Sequence, residues 1–179
     1  MTKNKSQPDY KESVATNIQD YDYPRIPLWS EILPNLWQGG TSDNDKVGDR
    51  SIKLHIPDIT AKDFDSVYTF YAFANPVDWL VEEYRFGYYD SPDTDFPIGK
   101  FKKIVEMAHR DWQEGKRVLI RCQAGLNRSG IITALVLIRE GYSAREAIDL
   151  MRAKRHSLVL FNEDFEDWLL SQPVEFWRG

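Results

Sequence analysis

The chain holds one cysteine, Cys122, in 179 residues. A single thiol rules out an intrachain disulfide, so a secreted disulfide scaffold is excluded and a reducing, cytoplasmic setting is expected. Histidine is almost as scarce. His55, His109 and His156 lack ligand spacing, so no metal site is expected and each reads as a surface or packing residue. No apolar run is long enough to span a membrane, and Met1-Thr-Lys-Asn-Lys-Ser6 leads into polar sequence rather than a signal-peptide core. No membrane partner follows from such a chain. Internal repeats and low-complexity tracts are missing too. The net charge of -5 argues against a general nucleic-acid binder while leaving room for a local basic patch.

What is present suffices for one core: 42% hydrophobic residues, with 9 Phe, 9 Tyr and 6 Trp. Residues 1–25 are polar and without periodicity, and read as a flexible N-terminal arm. A domain over 26–171 and a C-terminal tail over 172–179 complete the organisation. Ile32 to Gly40 reads as a first strand ending in a glycine turn, and 41–63 as loop. Val67 to Tyr71 reads as a buried strand. Asn75-Pro76 is placed to cap a short helix through Glu83, with Trp79 in its core-facing part. Tyr84 to Tyr89 alternates like a strand. Phe101, Ile104, Val105, Ala108 and Trp112 share one helical face, and Gly115 ends that helix. Gly141 breaks a later helix, Ser143 and Glu146 form a capping box for the next, and a last helix runs near Asn162 to Leu170. Strands alternating with helices predict an α/β fold, a central mixed, mostly parallel sheet flanked by helices.

The chemistry concentrates in Val118-Leu-Ile-Arg-Cys122-Gln-Ala-Gly125-Leu-Asn-Arg128-Ser129-Gly130. An apolar run enters this stretch and an apolar helix pattern leaves it. Strand, seven-residue loop and helix build an anion cradle, because N–H groups at a helix start point inward and the helix dipole favours negative charge there. A thiol at its mouth should ionise easily, since the helix start and a nearby cation both stabilise a thiolate. Arg128 can fork two N–H bonds onto a tetrahedral oxyanion. The bland alternative is a buried core thiol.

Cys-x5-Arg-Ser between a strand and a helix resembles the signature loop of the cysteine-dependent protein tyrosine phosphatases, and the short chain is most similar to their dual-specificity branch. Leu36, Trp37 and Gly39 fall where that branch has its opening strand. The family usually has His before the cysteine, where it helps hold the loop and tune the thiol; here Arg121 stands there. An ester phosphatase also needs a proton for the leaving oxygen. Asp90 follows a strand, opens a loop and precedes Cys122 by 32 residues, similar to the family's general-acid spacing. Asp93 is the first substitute, and Asp95-Phe96 resembles the pair that starts the family's next helix.

The resemblance implies that Cys122 attacks phosphorus while the amides of Gln123, Ala124, Gly125, Leu126, Asn127 and Arg128, with the Arg128 guanidinium, hold the equatorial oxygens. Asp90 then serves as acid and base, and Ser129 donates to the departing thiolate. No metal or other cofactor is required. The implied substrate is a phosphoprotein or phosphopeptide carrying phosphotyrosine, with phosphoserine and phosphothreonine open. Gly125 to Gly130 is also similar to the loop of capping-enzyme triphosphatases, so an RNA 5′-phosphatase is one alternative. Arg121 supports the other, a non-catalytic phosphate-binding module. Arg152, Lys154, Arg155 and His156 form a basic cluster that reads as a solvated helix end.

Overall fold

A computed structural model describes residues 26–41, 59–92 and 94–179. The expected arm at 1–25, most of the expected loop at 41–63, His55 and Asp93 lie outside the described residues. The strands are β1 (Trp29–Leu33), β2 (Leu36–Gly39), β3 (Ser66–Thr69), β4 (Glu82–Arg85) and β5 (Val118–Arg121). The helices are α1 (Ile98–Gln113), α2 (Arg128–Glu140), α3 (Ala144–Lys154), α4 (Glu163–Ser171) and α5 (Val174–Arg178). The strands form one sheet in the order β1-β2-β5-β3-β4. Only β1 runs antiparallel to its neighbour, giving the mixed, mostly parallel sheet expected.

Strand β5 lies at the sheet's centre with every residue buried, which explains its unbroken apolar run. Val118 and Ile120 face the helical layer, whereas Leu119 faces a smaller cluster of Ile59, Phe64, Val67 and Val81 on the opposite side. Gly39 of β2, Arg121 of β5 and Thr69 of β3 stand in register. The carboxyl ends of three parallel strands therefore finish together, and Cys122 is the next residue along. Crevices of this kind are where open α/β sheets place their ligands.

Helix α2 is buried from Arg128 through Ile138, so an apolar helix rather than an amphipathic one leaves the loop. It ends at Gly141, whose φ of 123° is closed to ordinary side chains. Helix α3 has the Ser143–Glu146 capping box, with both reciprocal bonds formed. Asn162 caps α4 by accepting from the Asp164 N–H.

Several expectations need correction. The first strand is a hairpin, because Pro34-Asn35 turns the chain and Asn35 takes a φ of 66°. No helix runs through Glu83. The chain from Asn75 to Val81 is irregular, and Glu82–Arg85 instead pairs parallel with β3, where sheet hydrogen bonding outweighs the local helix signal. The strand expected over 84–89 accordingly starts earlier and ends at Arg85. Trp79, expected in the core, is 90% exposed. Residues 172–179, expected as a tail, include α5; Trp177 is buried against the helical core, and Arg139 donates to its carbonyl at 3.1 Å.

Candidate active site

Cys122 is held at the end of β5 by its own N–H, which donates to the Gly39 carbonyl at 3.2 Å. The thiol is buried. Its Sγ lies 3.3 Å from Ser129 Oγ, and the Gly125 N–H donates to Sγ at 3.3 Å. The loop curls this tightly because Gly125 takes a φ of 73°; a Cβ there would strike the Gly39 carbonyl and the Arg155 guanidinium.

Four successive carbonyls of the loop are engaged from outside it. Gln123 O accepts from Thr41 N at 2.9 Å, and Ala124 O from Arg155 Nη2 at 3.3 Å. Gly125 O accepts from Arg155 Nε at 2.6 Å and Gln38 Nε2 at 3.1 Å, and Leu126 O from Leu160 N at 3.4 Å. With the carbonyls tied outward, the peptide N–H groups are left to the concave side, where the Gly125 N–H already meets the thiol and an oxyanion would sit.

Arg128 opens α2. Its Nη1 donates to Tyr88 O at 3.2 Å, its Nη2 to Gln123 Oε1 at 3.5 Å, and its guanidinium carbon lies 5.3 Å from the Tyr71 ring centre. The buried Nε has no hydrogen-bond partner among the described residues. Tyr88 locks the same residue from the other side, its hydroxyl donating to Arg128 O at 2.8 Å.

Asp90 comes in from the segment after β4. Its Oδ2 is 3.7 Å from Arg128 Nε, and Asn127 Nδ2 donates to Oδ1 at 3.1 Å. Burial raises the Asp90 pKa above that of an ordinary carboxyl, against the opposing pull of Arg128 and of hydrogen bonds from Asn127 and Asn162. A carboxyl whose proton is held more tightly than usual beside a guanidinium is suited to donate it at the mouth of the cradle. Asp95 is exposed, while Phe96 packs on Phe101, Phe165 and Trp168.

Arg121 points away from the thiol. Its Nε donates to Thr69 Oγ1 at 2.9 Å, and its Nη2 to Asn75 O at 2.7 Å and Glu83 Oε1 at 3.1 Å. The basic cluster at the end of α3 is not a solvated helix end as a whole. Arg152 pairs with Glu166 at 2.5 Å, whereas Arg155 is buried behind the loop, with further bonds to Pro27 O, Ser30 Oγ and Gln38 O. Burial lowers the Arg155 pKa to about 10, opposed by the Cys122 charge. Arg155 continues the stripe Ala147, Ile148, Met151 at helical spacing, and that position on the apolar face is the signal that places it inside. The Asn127 side chain was not anticipated either. It joins Asp90 to the chain at Asn162, whose N–H donates to Asn127 Oδ1 at 3.2 Å. His109 meets Glu140 at 2.7 Å, and His156 Nδ1 accepts from Leu158 N. Among the described residues no cluster of three metal-ligating side chains occurs, and no helix is long and apolar enough to cross a membrane.

Comparison with known proteins agrees with this geometry. The family described as dual specificity phosphatase, catalytic domain, matches residues 79–173. A protein of Invertebrate iridescent virus 6, named as candidate tyrosine phosphatase 123R, is 30% identical over 95 residues, which cover 49% of this chain and 66% of that protein. The tyrosine-protein phosphatase cdcA of Emericella nidulans is 36% identical over 66 residues, 36% of this chain and 11% of that one. The chain therefore spans just under two thirds of the first of these relatives and a small part of the second. Among solved structures, human DUSP28 superposes with a TM-score of 0.64 at 17% identity, covering 82% of this chain and 93% of that one. The human tyrosine phosphatase-like serine/threonine/tyrosine-interacting protein gives 0.60 at 22% identity, covering 79% and 92%. At such identities the superpositions establish the fold.

Proposed function

The chain belongs to the dual-specificity phosphatase catalytic-domain family, and from that premise we propose that it hydrolyses phosphate monoesters on phosphoproteins, phosphotyrosine foremost, through a phosphocysteine intermediate. The observation that carries the proposal is the placement of Cys122 Sγ, 3.3 Å from both Ser129 Oγ and the Gly125 N–H, inside a loop whose carbonyls are tied outward. Asp90 stands opposite, paired with Arg128.

The Cys122 thiolate attacks phosphorus in line with the ester oxygen. Loop amides from Gln123 to Arg128 and the Arg128 guanidinium take the equatorial oxygens as charge builds on them. The P–O ester bond breaks as Asp90 gives its proton to the leaving oxygen, and a phosphocysteine remains. Asp90, now ionised, accepts a proton from water as that water attacks phosphorus. The S–P bond breaks, inorganic phosphate leaves, and the Ser129 hydroxyl donates to the departing thiolate. A thiol with this task must stay reduced, which supports a cytoplasmic location.

The test is hydrolysis of para-nitrophenyl phosphate with EDTA present. Wild type should turn over and Cys122→Ser should not; near-normal hydrolysis by Cys122→Ser would sink the mechanism.

A further inference from the structure

We infer that Arg121 is a positioning residue: it fixes the 70–74 segment so that the Tyr71 ring backs the phosphate-gripping guanidinium of Arg128. The inference rests on the proposed phosphate site and concerns how this chain builds it. The Arg121 backbone continues the sheet, its carbonyl accepting from Phe70 N at 2.8 Å. Its side chain then reaches both ends of the segment leaving β3. Nε takes Thr69 Oγ1 before the segment, and Nη2 takes Asn75 O after it. Between those anchors lie Phe70, Tyr71, Ala72, Phe73 and Ala74.

Glu83 of β4 joins the clamp's two guanidiniums. Its Oε1 accepts three bonds, from Arg121 Nη2 at 3.1 Å, Arg85 Nη2 at 2.8 Å and the Thr69 hydroxyl at 2.7 Å. Arg85 adds bonds to Ala72 O at 3.2 Å and Ala74 O at 2.7 Å. Two guanidiniums and one carboxylate therefore hold the carbonyls of Ala72, Ala74 and Asn75 in place. Arg121 is almost wholly buried, so it is a fixed part rather than a surface cation.

What the clamp holds in place is Tyr71, itself buried, with its ring 5.3 Å from the Arg128 guanidinium carbon. An aromatic face there restrains the guanidinium plane and attracts its charge. If the 70–74 segment slackens, the ring loses its position and Arg128 loses one wall. A planar fork reaching Thr69, Asn75 and Glu83 together is a task that lysine, with a single terminal nitrogen, cannot perform in full.

The experiment measures binding of inorganic phosphate by calorimetry in wild type, Arg121→Lys, Arg121→Met, Tyr71→Leu and the Arg121→Lys/Tyr71→Leu double variant, each normalised to its folded fraction. Turnover of para-nitrophenyl phosphate is followed alongside. Arg121→Lys should bind phosphate roughly three- to thirtyfold more weakly than wild type, and Arg121→Met at least as weakly. In the Tyr71→Leu background the lysine change should add less than about twofold, since the two residues act through one route. The alkaline limb of the turnover profile, set by Asp90, should not move in Arg121→Lys. Unchanged phosphate affinity in Arg121→Lys, or the full loss repeated in the Tyr71→Leu background, overturns the inference. So does a wild type that binds no phosphate. Phosphate binding with no ester turnover would defeat the phosphatase reading and leave this inference standing.

Discussion

Arg155→Met should cost the protein about 2–4 kcal/mol of stability and most of its activity. Arg155 Nη1 serves Ser30 Oγ at 3.1 Å and its Nη2 serves Ala124 O at 3.3 Å. A buried acceptor left without its donor costs about 1–3 kcal/mol, as at Ser30 Oγ, and the partly buried Ala124 O costs less, so about 2–6 kcal/mol is the outer range for the two. Gly125 O keeps Gln38 Nε2 as a second donor and adds little. An opposing gain comes from no longer burying a guanidinium, whose cost is visible in a pKa lowered to about 10. Methionine fills much of the space, and the net falls near the lower half of that range. For a chain of this length the melting temperature should drop by roughly 5–15 °C. Activity should fall further than the folded fraction does, on the order of a hundredfold, because the Ala124 and Gly125 peptides lose the tie that aims their neighbours' amides. Arg155→Lys, which can reach some of the acceptors, should fall between. Thermal unfolding and para-nitrophenyl phosphate turnover read both effects. A methionine variant within about 0.5 kcal/mol of wild type and equally active would refute the role of the carbonyl ties.

Asp90→Asn should remove the alkaline limb of the turnover profile, and in wild type that limb should lie above the ordinary aspartate range because burial raises the carboxyl's pKa. If Asp90→Asn left turnover and its profile unchanged, an RNA 5′-phosphatase, which by resemblance uses no such acid, would become the better reading. The same raised pKa has a stability sign: folding is penalised wherever the unfolded chain would ionise Asp90. Asp90→Asn should therefore raise the melting temperature at pH 7, the gain fading as pH falls through the raised folded-state pKa and gone below the ordinary aspartate value of about 3.9; equal gain at acid and neutral pH would contradict it. Two tryptophans should behave oppositely under thermal unfolding. Trp177→Ala, in the core beneath α2, should cost about 3–5 kcal/mol, and Trp79→Ala, 90% exposed, should stay within about 0.5 kcal/mol. A silent Trp177→Ala would return residues 172–179 to the status of a tail.

The signature loop was legible in the sequence because its parts are local. One strand, seven loop residues and one helix start place Cys122, Arg128 and Ser129 close along the chain, although distant residues hold the loop in shape. Asp90 was legible less directly, through spacing and its place at the end of a strand, and the structure puts its carboxylate beside Arg128 and Asn127. The region from Asn75 to Glu83 was misread because Asn-Pro is a good local helix start, yet Glu82–Arg85 gains more by closing the sheet beside β3. Trp79, a core residue only if that helix formed, is exposed for the same reason. Arg155 was masked by its neighbours, since Arg152 and Lys154 make the whole stretch look solvated; only its position on the Ala147–Met151 stripe marks it as buried. Contacts that cross the sequence, such as Asn127 to Asn162 and Arg121 to Asn75, have no local signal at all.

The central claim is a covalent phosphocysteine, and acid quenching during turnover of an aryl phosphate tests it most directly. Peptide mass analysis of the quenched protein should find one phosphoryl group on the peptide carrying Cys122, and none in Cys122→Ser. Steady turnover with that peptide unmodified in wild type, or a phosphoryl group carried by another residue, would contradict the account.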